Sequence, residues 1–467
     1  MPPPRRLPVW PDFVATLAAQ TPDPARLYLV GGVVRDALCR RPIHDYDLAT
    51  PEDGLLIARR LADALGGRYY AVDPLRRTGR VILLTPEGRL TVDVASFRGA
   101  DLYADLEGRD FTINAMAAPL SQPEEVIDPL GGQDDLFVHK LLRQCTPSSI
   151  SSDPIRALRA VRQARQFGLR IEAATLAAVR AAGPQLVDEQ GALYQPERVR
   201  DELFKMLAGR YPAGALRLLH RLGLWQALAP ATLADIDEAA LAVVDRLSEL
   251  FAVISPQRDD DTAADLTLGV AVMVLDRYRR QLQDYLSQTF GDGRPITALL
   301  ILGALTPPDC PDPAPLWAER LRLSNAERKV LGALHATRPF LAERRPLNDG
   351  EKHRYYRAVG ETGVAGVLLM LAEVLAAHRP LPDPLEWGRL LEEVAAPLLD
   401  AFFRRHQQVV APPPLVNGDD LVRALGISPG PQIGYLLDQL LEAQAAGKIR
   451  TRQEALRLAE RLLKGSA

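Results

Sequence analysis

The chain contains 467 residues, 47% of them hydrophobic and 25% charged, with a formal net charge of −3. This length is sufficient for several globular domains, and the small net charge excludes a globally basic nucleic-acid-binding protein. A nucleic-acid partner would therefore have to contact a local cluster of Lys and Arg side chains.

The cysteines and the N-terminal segment bear on the cellular compartment. Cys39, Cys145 and Cys310 lie far apart in the sequence and have neither metal-site nor disulfide spacing, which is typical of a reducing environment. The first residues, MPPPRRLPVWPDF, contain no long apolar run, so we predict neither a signal peptide nor a membrane span. We expect a cytoplasmic protein without a membrane partner, and the sequence indicates no protein partner.

Strand and helix patterns are mixed in the first 140 residues. Apolar or alternating runs predict strands at residues 28–30, 46–49, 81–85 and 90–95, and a turn at Pro86-Glu87-Gly88 separates the last two. A short helix is predicted at residues 33–40, directly after Gly31-Gly32.

Beyond Ser148, leucine and alanine recur at helical spacing almost to the end of the chain. This spacing predicts helices at residues 155–167, 173–182, 196–208, 213–222 and 264–289. Breaks are expected at residues 256–261, 306–315 and 412–414, where proline is frequent. The sequence therefore predicts a small α/β head followed by a long helical body.

The segment YLVGGVVRDALCRRPIHDYDLAT, residues 28–50, contains the first candidate site. Asp45 and Asp47 are two residues apart in a predicted strand, so their side chains share one face. Two neighbouring carboxylates repel each other unless a cation lies between them, and Mg²⁺ prefers such oxygen ligands together with substrate phosphates. Gly31 and Gly32 allow the backbone to approach a phosphate closely. These features together indicate metal-assisted nucleotide transfer.

A third carboxylate is expected from the strand that contains Asp93. If this strand neighbours the one with Asp45 and Asp47, three carboxylates converge and can hold two Mg²⁺ ions. The alternative is that Asp47 begins a turn and Asp93 is an exposed strand residue. His44, directly before Asp45, either orients that acid or forms a structural hydrogen bond.

Further motifs follow in chain order. They are RDFTINAMA at 109–117, DPLGGQDDL at 128–136, SDPIRALRA at 152–160, PERVRDEL at 196–203, NGDDL at 417–421 and PGPQIG at 429–434. With the segment at 28–50, they make the chain similar to the nucleotidyltransferase superfamily. It resembles in particular the bacterial-type (class II) tRNA nucleotidyltransferase and poly(A) polymerase family. The matches are dense from residue 28 to about 205 and return from 415 to 460.

The resemblance implies an α+β fold with a small nucleotidyltransferase-type mixed-sheet head domain and an elongated all-α neck, body and tail. The implied domains are a catalytic head at 1–140, a neck with a base-selecting helix at 141–208, a body at 209–410 and a tail at 411–467. The implied catalytic residues are Asp45, Asp47 and Asp93, of which Asp45 and Asp47 hold two Mg²⁺ ions.

The resemblance also implies a set of nucleotide-binding residues. Gly31, Gly32 and Arg35 would contact the triphosphate, Arg109, Asp110 and Asn114 the sugar, Asp153 and Arg156 the base, and Arg159 and Arg162 the triphosphate or the RNA end. Asp153 would accept a hydrogen bond from the exocyclic amine that cytosine and adenine share. Uracil and guanine have a carbonyl there and would leave the acceptor unpaired.

The residues alone leave structural alternatives open for the same positions. Arg109 and Asp110 also fit a local ion pair, and Asn114 also fits a turn cap. The arginines at 156, 159, 162 and 165 also fit a solvated helix face, and Ser151 or Ser152 is expected to cap that helix. We expect Asp36 to pair with Arg35 or another nearby base.

The chain departs from the family pattern in three places. Gly108 and Ser152 stand where the family usually has Arg and Glu. The long flexible loop of full CCA-adding members is largely missing, because only residues 99–108 separate Phe97-Arg98 from Arg109. In this family, loss of that loop is typical of enzymes that add only C residues.

The expected function is therefore template-independent transfer of nucleotides to the 3′ end of tRNA or a tRNA-like RNA, with release of pyrophosphate. CTP is the expected substrate for CC addition, and use of ATP for complete CCA addition is left open. The alternatives are a poly(A) polymerase and a diverged non-catalytic RNA-binding relative.

Overall fold

The computed structural model describes residues 6–86, 88–256, 266–291, 293–307, 310–378 and 383–465. The chain forms two compact units, one of residues 1–194 and 221–227 and the other of residues 195–220 and 228–467. The expected fold class is confirmed, since a mixed sheet lies in the first unit and helices dominate the rest of the described chain. The four domain boundaries drawn from the sequence stay predictions.

The first unit contains a six-stranded sheet with the spatial order β3-β4-β5-β2-β1-β6. The strands are β1 (Tyr28–Val30), β2 (Asp45–Thr50), β3 (Arg68–Asp73), β4 (Thr78–Thr85), β5 (Gly88–Ser96) and β6 (Ala117–Pro119). Neighbours are antiparallel except for β2 and β5, which are parallel. All four predicted strands are confirmed, while Glu87 of the predicted turn lies outside the described residues.

Two strands of this sheet were not predicted. The edge strand β3 has mostly exposed side chains and therefore lacks the alternation of apolar and polar residues that identifies a half-buried strand. Strand β6 has only three residues, too few for a periodic pattern.

The helices of the first unit pack on the sheet or follow it. They are α1 (Phe13–Gln20), α2 (Gly32–Leu38), α3 (Gly54–Leu65), α4 (Leu102–Glu107), α5 (Gly132–Asp134), α6 (Arg156–Phe167) and α7 (Ala173–Ala182), and a two-stranded parallel ribbon joins β7 (Leu141–Leu142) to β8 (Arg170–Ile171). Helix α3 shows the local causes of these elements. Asp53 caps its first turn, Gly66 ends it in a left-handed conformation, and Leu61 faces the core.

Helices continue from residue 196 to the end of the described chain. They are α8 (Pro196–Leu207), α9 (Pro212–Arg221), α10 (Trp225–Leu228), α11 (Glu238–Ile254), α12 (Leu266–Leu275), α13 (Arg279–Leu286), α14 (Ile296–Ala304), α15 (Ala314–Leu321), α16 (Asn325–Leu341), α17 (Asp349–Val359), α18 (Thr362–Ala377), α19 (Pro384–Arg389), α20 (Ala396–Phe403), α21 (Gly418–Leu425), α22 (Pro431–Ala445) and α23 (Arg452–Gly465). One short hairpin, β9 (Thr289–Phe290) with β10 (Arg294–Pro295), interrupts them.

The single helix predicted at 264–289 is wrong. Helix α12 ends at Leu275, a 3₁₀ turn follows at Asp276–Tyr278, α13 covers the next eight residues, and Thr289 begins a strand. A tertiary contact is formed at the break: the buried Tyr278 hydroxyl donates a hydrogen bond to the carbonyl of Ala396. Residues 257–265, with most of the predicted break at 256–261, lie outside the described residues.

The other predicted breaks are confirmed. No helix covers the described residues of 306–315 before α15 or those at 412–414 before α21. Among the described helices, none is by itself long and apolar enough to cross a membrane; α17 and α18 pass that test only as a pair bent by 105°.

A buried ion pair stabilises the second unit. The Arg294 side chain donates to both carboxylate oxygens of Glu327, at 2.5 Å from Nε and 3.3 Å from the terminal nitrogen. The Glu327 side chain is fully buried and also accepts hydrogen bonds from the Ser324 backbone and hydroxyl, which closes a capping box on α16. Arg294 also lies 3.7 Å from Asp201, so removing the Glu327 charge leaves the buried guanidinium without its short ion pair.

We therefore expect Glu327→Gln to lower the free energy of unfolding by about 3–5 kcal/mol. Chemical denaturation followed by far-UV circular dichroism measures the loss. The control is Glu460→Gln, which removes a solvent-exposed ion pair to Lys464 and should change stability little. Equal losses in the two variants would contradict this account of the second unit.

Candidate active site

The acidic residues of β2 and β5 lie together because of strand pairing. Asp45 and Asp47 point to the same face of β2, while Tyr46 between them is buried against Phe13. The parallel register pairs Asp47 with Asp93 on β5. The structure thus brings together the three acids that the sequence singled out.

Asp45 and Asp47 are solvent-exposed, and neither forms a hydrogen bond or ion pair with another described residue. The pKa of Asp47 is nevertheless raised, first by partial desolvation among surrounding protein atoms and then by the negative charges of Asp93 and Asp45. The positive charges of Arg109 and Arg159 oppose this shift without cancelling it. A cation bound by Asp45 and Asp47 would relieve the repulsion, so this pair of hard oxygen ligands fits a divalent metal ion.

Asp93 differs from the other two acids because it already has a cationic partner. The guanidinium of Arg80 on β4 donates to both its carboxylate oxygens, each at 2.7 Å. Among the described residues, no group of three or more His, Cys, Asp or Glu is arranged to hold a metal ion. The three carboxylates therefore lie on neighbouring strands, as expected. Of the three, Asp93 is bound by another side chain, while Asp45 and Asp47 are bound by none among the described residues.

Gly31 connects β1 to α2 in a conformation that favours glycine. Its φ angle is +79°, and a Cβ atom built there would lie 2.7 Å from a terminal nitrogen of Arg109. At Gly32 a Cβ atom would be 3.4 Å from the Arg35 guanidinium. Gly31 therefore lets Arg109 approach the backbone at the end of β1, whereas a Cβ atom at Gly32 would be in ordinary van der Waals contact with Arg35.

Arg35 is almost fully engaged by protein groups. It donates two hydrogen bonds of 3.0 Å to Asp36 and one to the side-chain oxygen of Asn114. Its guanidinium also lies 4.4 Å from the centre of the Phe167 ring. The expected pairing with Asp36 is confirmed, and the contacts make Arg35 a residue that fixes α2 against Asn114.

Asp110 and Asn114 form a buried polar network with α6. One oxygen of Asp110 accepts from the Phe111 backbone and the Asn114 amide, both at 2.9 Å, and the other accepts from Arg159 Nε at 2.7 Å. The Asn114 amide also donates to Gln163 at 2.9 Å. Burial alone would raise the pKa of Asp110, but the Arg159 charge and these hydrogen bonds outweigh it and hold the pKa well below its usual range.

Arg109 does not pair with its neighbour Asp110. It forms an ion pair of 2.8 Å with Asp105, whose side chain is only 3% exposed, in the preceding helix α4. Its buried Nε has no hydrogen-bond partner among the described residues. The alternative of a local ion pair between Arg109 and Asp110 is thus wrong, because Arg109 pairs with Asp105 and Asp110 with Arg159.

Helix α6 covers Arg156–Phe167, within one residue of the predicted 155–167. Its first residue is Arg156, and its N-cap Ile155 has no side-chain cap, so the predicted capping by Ser151 or Ser152 is wrong. The Ser152 hydroxyl instead donates to the Ser149 carbonyl, and Asp153 accepts from the Ile155 backbone at 3.3 Å. Asp153 therefore lies in the turn directly before the helix.

The arginines of α6 have separate environments rather than one shared solvated face. Arg156 donates to the carbonyls of Gly108, Arg109 and Ser149, at 3.1, 3.2 and 3.0 Å. Arg159 binds Asp110, while Arg162 donates to Gln166 at 3.3 Å and Arg165 is exposed. Arg156 thereby fixes the backbone that carries Arg109.

Three residues of this region were missed in the sequence. Arg80, Asp105 and Gln163 each bind a predicted site residue. A sequence signal existed only for Gln163, a polar side chain on the helix face that also carries Ala160 and Ala164. The contacts of Arg80 and Asp105 depend on strand register and on the position of α4.

The short segment between β5 and Arg109 is folded. Asp101 caps α4 by accepting from the Ala104 backbone at 2.9 Å. Leu102 and Leu106 of α4 pack with Val30 and Ala117 of the sheet. Residues 99–108 therefore hold Arg109 and Asp105 at a fixed place beside β1.

Comparison with protein families identifies three regions. Residues 27–142 match the "Poly A polymerase head domain", residues 168–236 match the "Probable RNA and SrmB-binding site of polymerase A", and residues 402–459 match a second domain of tRNA nucleotidyltransferases. The first match contains the whole acidic face described above.

Two curated relatives are similar over nearly their whole length. A CC-adding tRNA nucleotidyltransferase of Geobacter sulfurreducens is 32% identical over 96% of this chain and 94% of its own length. An A-adding tRNA nucleotidyltransferase of Deinococcus radiodurans is also 32% identical, over 94% of this chain and 96% of its own. Among solved structures, the Bacillus stearothermophilus CCA-adding enzyme in complex with CTP has a TM-score of 0.65 at 21% identity, covering 98% of this chain and 100% of that one. This last similarity concerns the fold.

The network around Asp110 gives a prediction about stability and pH. Asp110→Asn keeps the size of the side chain but removes the charge that Arg159 binds, and hydrogen bonds to charged groups contribute about 1.5–3 kcal/mol. We expect a loss of about 2 kcal/mol in the free energy of unfolding at neutral pH. Because the folded-state pKa is lowered, this contribution is complete above about pH 4 and is lost as the pH falls further.

Denaturation at neutral pH and at about pH 3 measures both effects. The difference between wild type and Asp110→Asn should shrink at the lower pH. Asp23→Asn, at an exposed carboxylate without an ion pair among the described residues, should leave stability unchanged at neutral pH. An equal difference between wild type and Asp110→Asn at both pH values would contradict the charge-based account.

Proposed function

This chain belongs to the bacterial-type tRNA nucleotidyltransferase and poly(A) polymerase family, and we propose that it adds C residues to the 3′ end of tRNA. The proposed donor is CTP, the product is a tRNA ending in CC, and pyrophosphate is released. The similarity to CC-adding and A-adding enzymes over nearly the whole chain supports nucleotide addition to tRNA, and the choice of C rests on the short segment before Arg109. The enzymatic nature of the protein follows from the family, whose members generally use a divalent metal.

The observation that carries the proposal is the pair of unengaged carboxylates on β2. Asp45 and Asp47 lie on one face, their charges repel, and no described side chain neutralises them directly. We assign to them the binding of two Mg²⁺ ions. Ions bound there would lower the pKa of the RNA 3′-hydroxyl and stabilise negative charge on the α-phosphate and the leaving pyrophosphate.

The neighbouring residues would position the nucleotide. The absence of a Cβ atom at Gly31 lets the Arg109 guanidinium, which is paired with Asp105, lie close to the backbone, and its positive charge would attract a triphosphate there. Arg35, Asp110 and Asn114 would act by joining α2 to α6. Arg35 of α2 bonds Asn114, which bonds Asp110, and these two residues bond Gln163 and Arg159 of α6. We propose that Gly32 lies near the triphosphate. We propose that Arg159 and Arg162 lie near the triphosphate or the RNA end.

The base would be selected at the start of α6. Asp153 precedes the helix and would accept a hydrogen bond from the exocyclic amine of cytosine. Arg156, which also donates to the carbonyls of Gly108, Arg109 and Ser149, would direct a remaining N–H group at the ring. A uracil or guanine carbonyl at that point would face the carboxylate without a hydrogen atom between them, at a cost of about 1–3 kcal/mol. This chemistry favours C and A over U and G.

The short segment before Arg109 distinguishes CC addition from CCA addition. In this family a long flexible loop at this place helps to reshape the pocket from cytosine to adenine. Here residues 99–108 form a capped helix packed on the sheet, which leaves no long loop for such a change. We therefore propose that the reaction stops after CC.

Two alternatives differ in measurable ways. A poly(A) polymerase would use ATP on many RNAs, and a non-catalytic relative would bind RNA without extending it. The proposed cytoplasmic location is common to all three.

Extension assays with tRNAs that end before CCA, after C and after CC test the proposal directly. With Mg²⁺ and each nucleoside triphosphate supplied separately, we expect CTP to extend the first two tRNAs and ATP to leave the third unchanged. Gel separation of the products at single-nucleotide resolution measures the outcome. Efficient A addition to the CC end would overturn the argument from the shortened segment.

The control is the double variant Asp45→Ala, Asp47→Ala. Loss of both metal-binding carboxylates should abolish extension, while thermal stability should not fall, because the desolvation and the repulsion that raise the pKa of Asp47 are also removed. Unchanged extension by this variant would refute the assignment of the catalytic acids.

A further inference from the structure

Arg80 and Asp93 occupy opposed positions on two strands of the acidic face. Strand β4 pairs with β5 so that Arg80 faces Asp93, and β5 pairs with β2 so that Asp93 faces Asp47. One cation and two acids therefore lie in a row across three neighbouring strands. With a strand spacing of about 4.8 Å, the backbone of Arg80 is roughly 10 Å from that of Asp47.

The contact between Arg80 and Asp93 is bidentate and short. Nε and one terminal nitrogen of Arg80 each donate to a different oxygen of Asp93 at 2.7 Å. The two side chains are 36% and 23% exposed, so solvent screens this pair less than a fully exposed one. Both carboxylate oxygens of Asp93 are thus directed at a guanidinium instead of at the space beside Asp47.

The other arginines near the acidic face have different partners. Arg109 binds Asp105 and Arg159 binds Asp110, so their charges act on Asp47 only from a distance. Mg²⁺ usually takes one or two protein carboxylates and completes its shell with water and phosphate oxygens. Asp45 and Asp47 alone can supply that number.

We infer that Arg80 keeps Asp93 out of the metal coordination shell, so that Asp45 and Asp47 are the protein ligands and Asp93 acts as a positioning residue. This inference rests on the metal site of the proposed function. It has a specific consequence: removal of Arg80 frees Asp93 to become a third protein ligand, and the divalent ion is then bound more tightly before any nucleotide arrives.

The test uses the whole protein, Mn²⁺ as the probe, and no nucleotide or RNA. We expect Arg80→Met, which keeps much of the side-chain length, to bind Mn²⁺ about tenfold more tightly than wild type. Titration followed by electron paramagnetic resonance measures the affinity. Water-proton relaxation counts the water molecules on the bound ion, and this number should fall by one because Asp93 replaces a water.

Two further variants separate ligation from a general effect of charge. In Arg80→Met, Asp93→Asn the gain should disappear, since the freed carboxylate is gone, and affinity should return to about the wild-type value. Arg89→Met removes an exposed positive charge four residues from Asp93 on the same strand and should change affinity less than about twofold.

Two results would overturn the inference. One is a wild-type Mn²⁺ affinity in Arg80→Met while circular dichroism shows the variant folded. The other is tighter binding without loss of a water, which would mean that Arg80 acts through its charge alone or that Asp93 is already a ligand in the wild type.

The measurement also separates this inference from the proposed function. Failure of wild-type protein to extend tRNA, with Mn²⁺ bound and the variants behaving as expected, would refute the reaction and leave the role of Arg80 intact. Normal extension together with unchanged binding in Arg80→Met would refute only the role of Arg80.

Discussion

The parallel pairing of β2 with β5 is the constraint on which the candidate site depends. It fixes Asp47 opposite Asp93 and places Asp45 two residues along the same face. Parallel neighbours need a crossover, and here α3, β3 and β4, between Thr50 and Gly88, provide it. The same crossover brings Arg80 to the far side of β5. The topology of this sheet therefore determines the positions of all three acids and of Arg80.

Some of the carboxylates around this face are paired with an arginine and others are not. Asp93, Asp105 and Asp110 each bind an arginine, namely Arg80, Arg109 and Arg159. Asp45 and Asp47 receive no such partner among the described residues, and the pKa of Asp47 is raised. The protein thus satisfies the acids that support the site and leaves unsatisfied the two that would hold metal. Such a local cost in stability is expected where function requires an uncompensated charge.

Much of the head was predictable because its signals are local. The apolar run before Gly31, the acids of β2 at a spacing of two, and the alternation in β5 each depend on a few adjacent residues. The helix at 173–182 was also found with its bounds, since its leucine and alanine spacing is regular. Resemblance to a known family then supplied roles that spacing alone does not give.

The remaining features depend on contacts between distant residues. The pairing of Arg80 with Asp93 requires the strand register, and the buried network of Asn114 with Gln163 requires α6 to pack on the head. The turns at 146–155 before α6 are stabilised by serine hydroxyls, none of which caps the helix. The break between α12 and α13 coincides with the buried hydrogen bond of Tyr278. The spacing of apolar residues along the sequence does not predict any of these contacts.

The central claim is that Asp45 and Asp47 together hold a divalent ion against a nucleoside triphosphate. Anomalous X-ray diffraction from crystals of the wild-type protein grown with CTP and Mn²⁺ tests it most directly. The account predicts an anomalous peak within about 2.1–2.3 Å of oxygens from both carboxylates and beside the triphosphate. A bound triphosphate whose metal ion contacts neither carboxylate would contradict it.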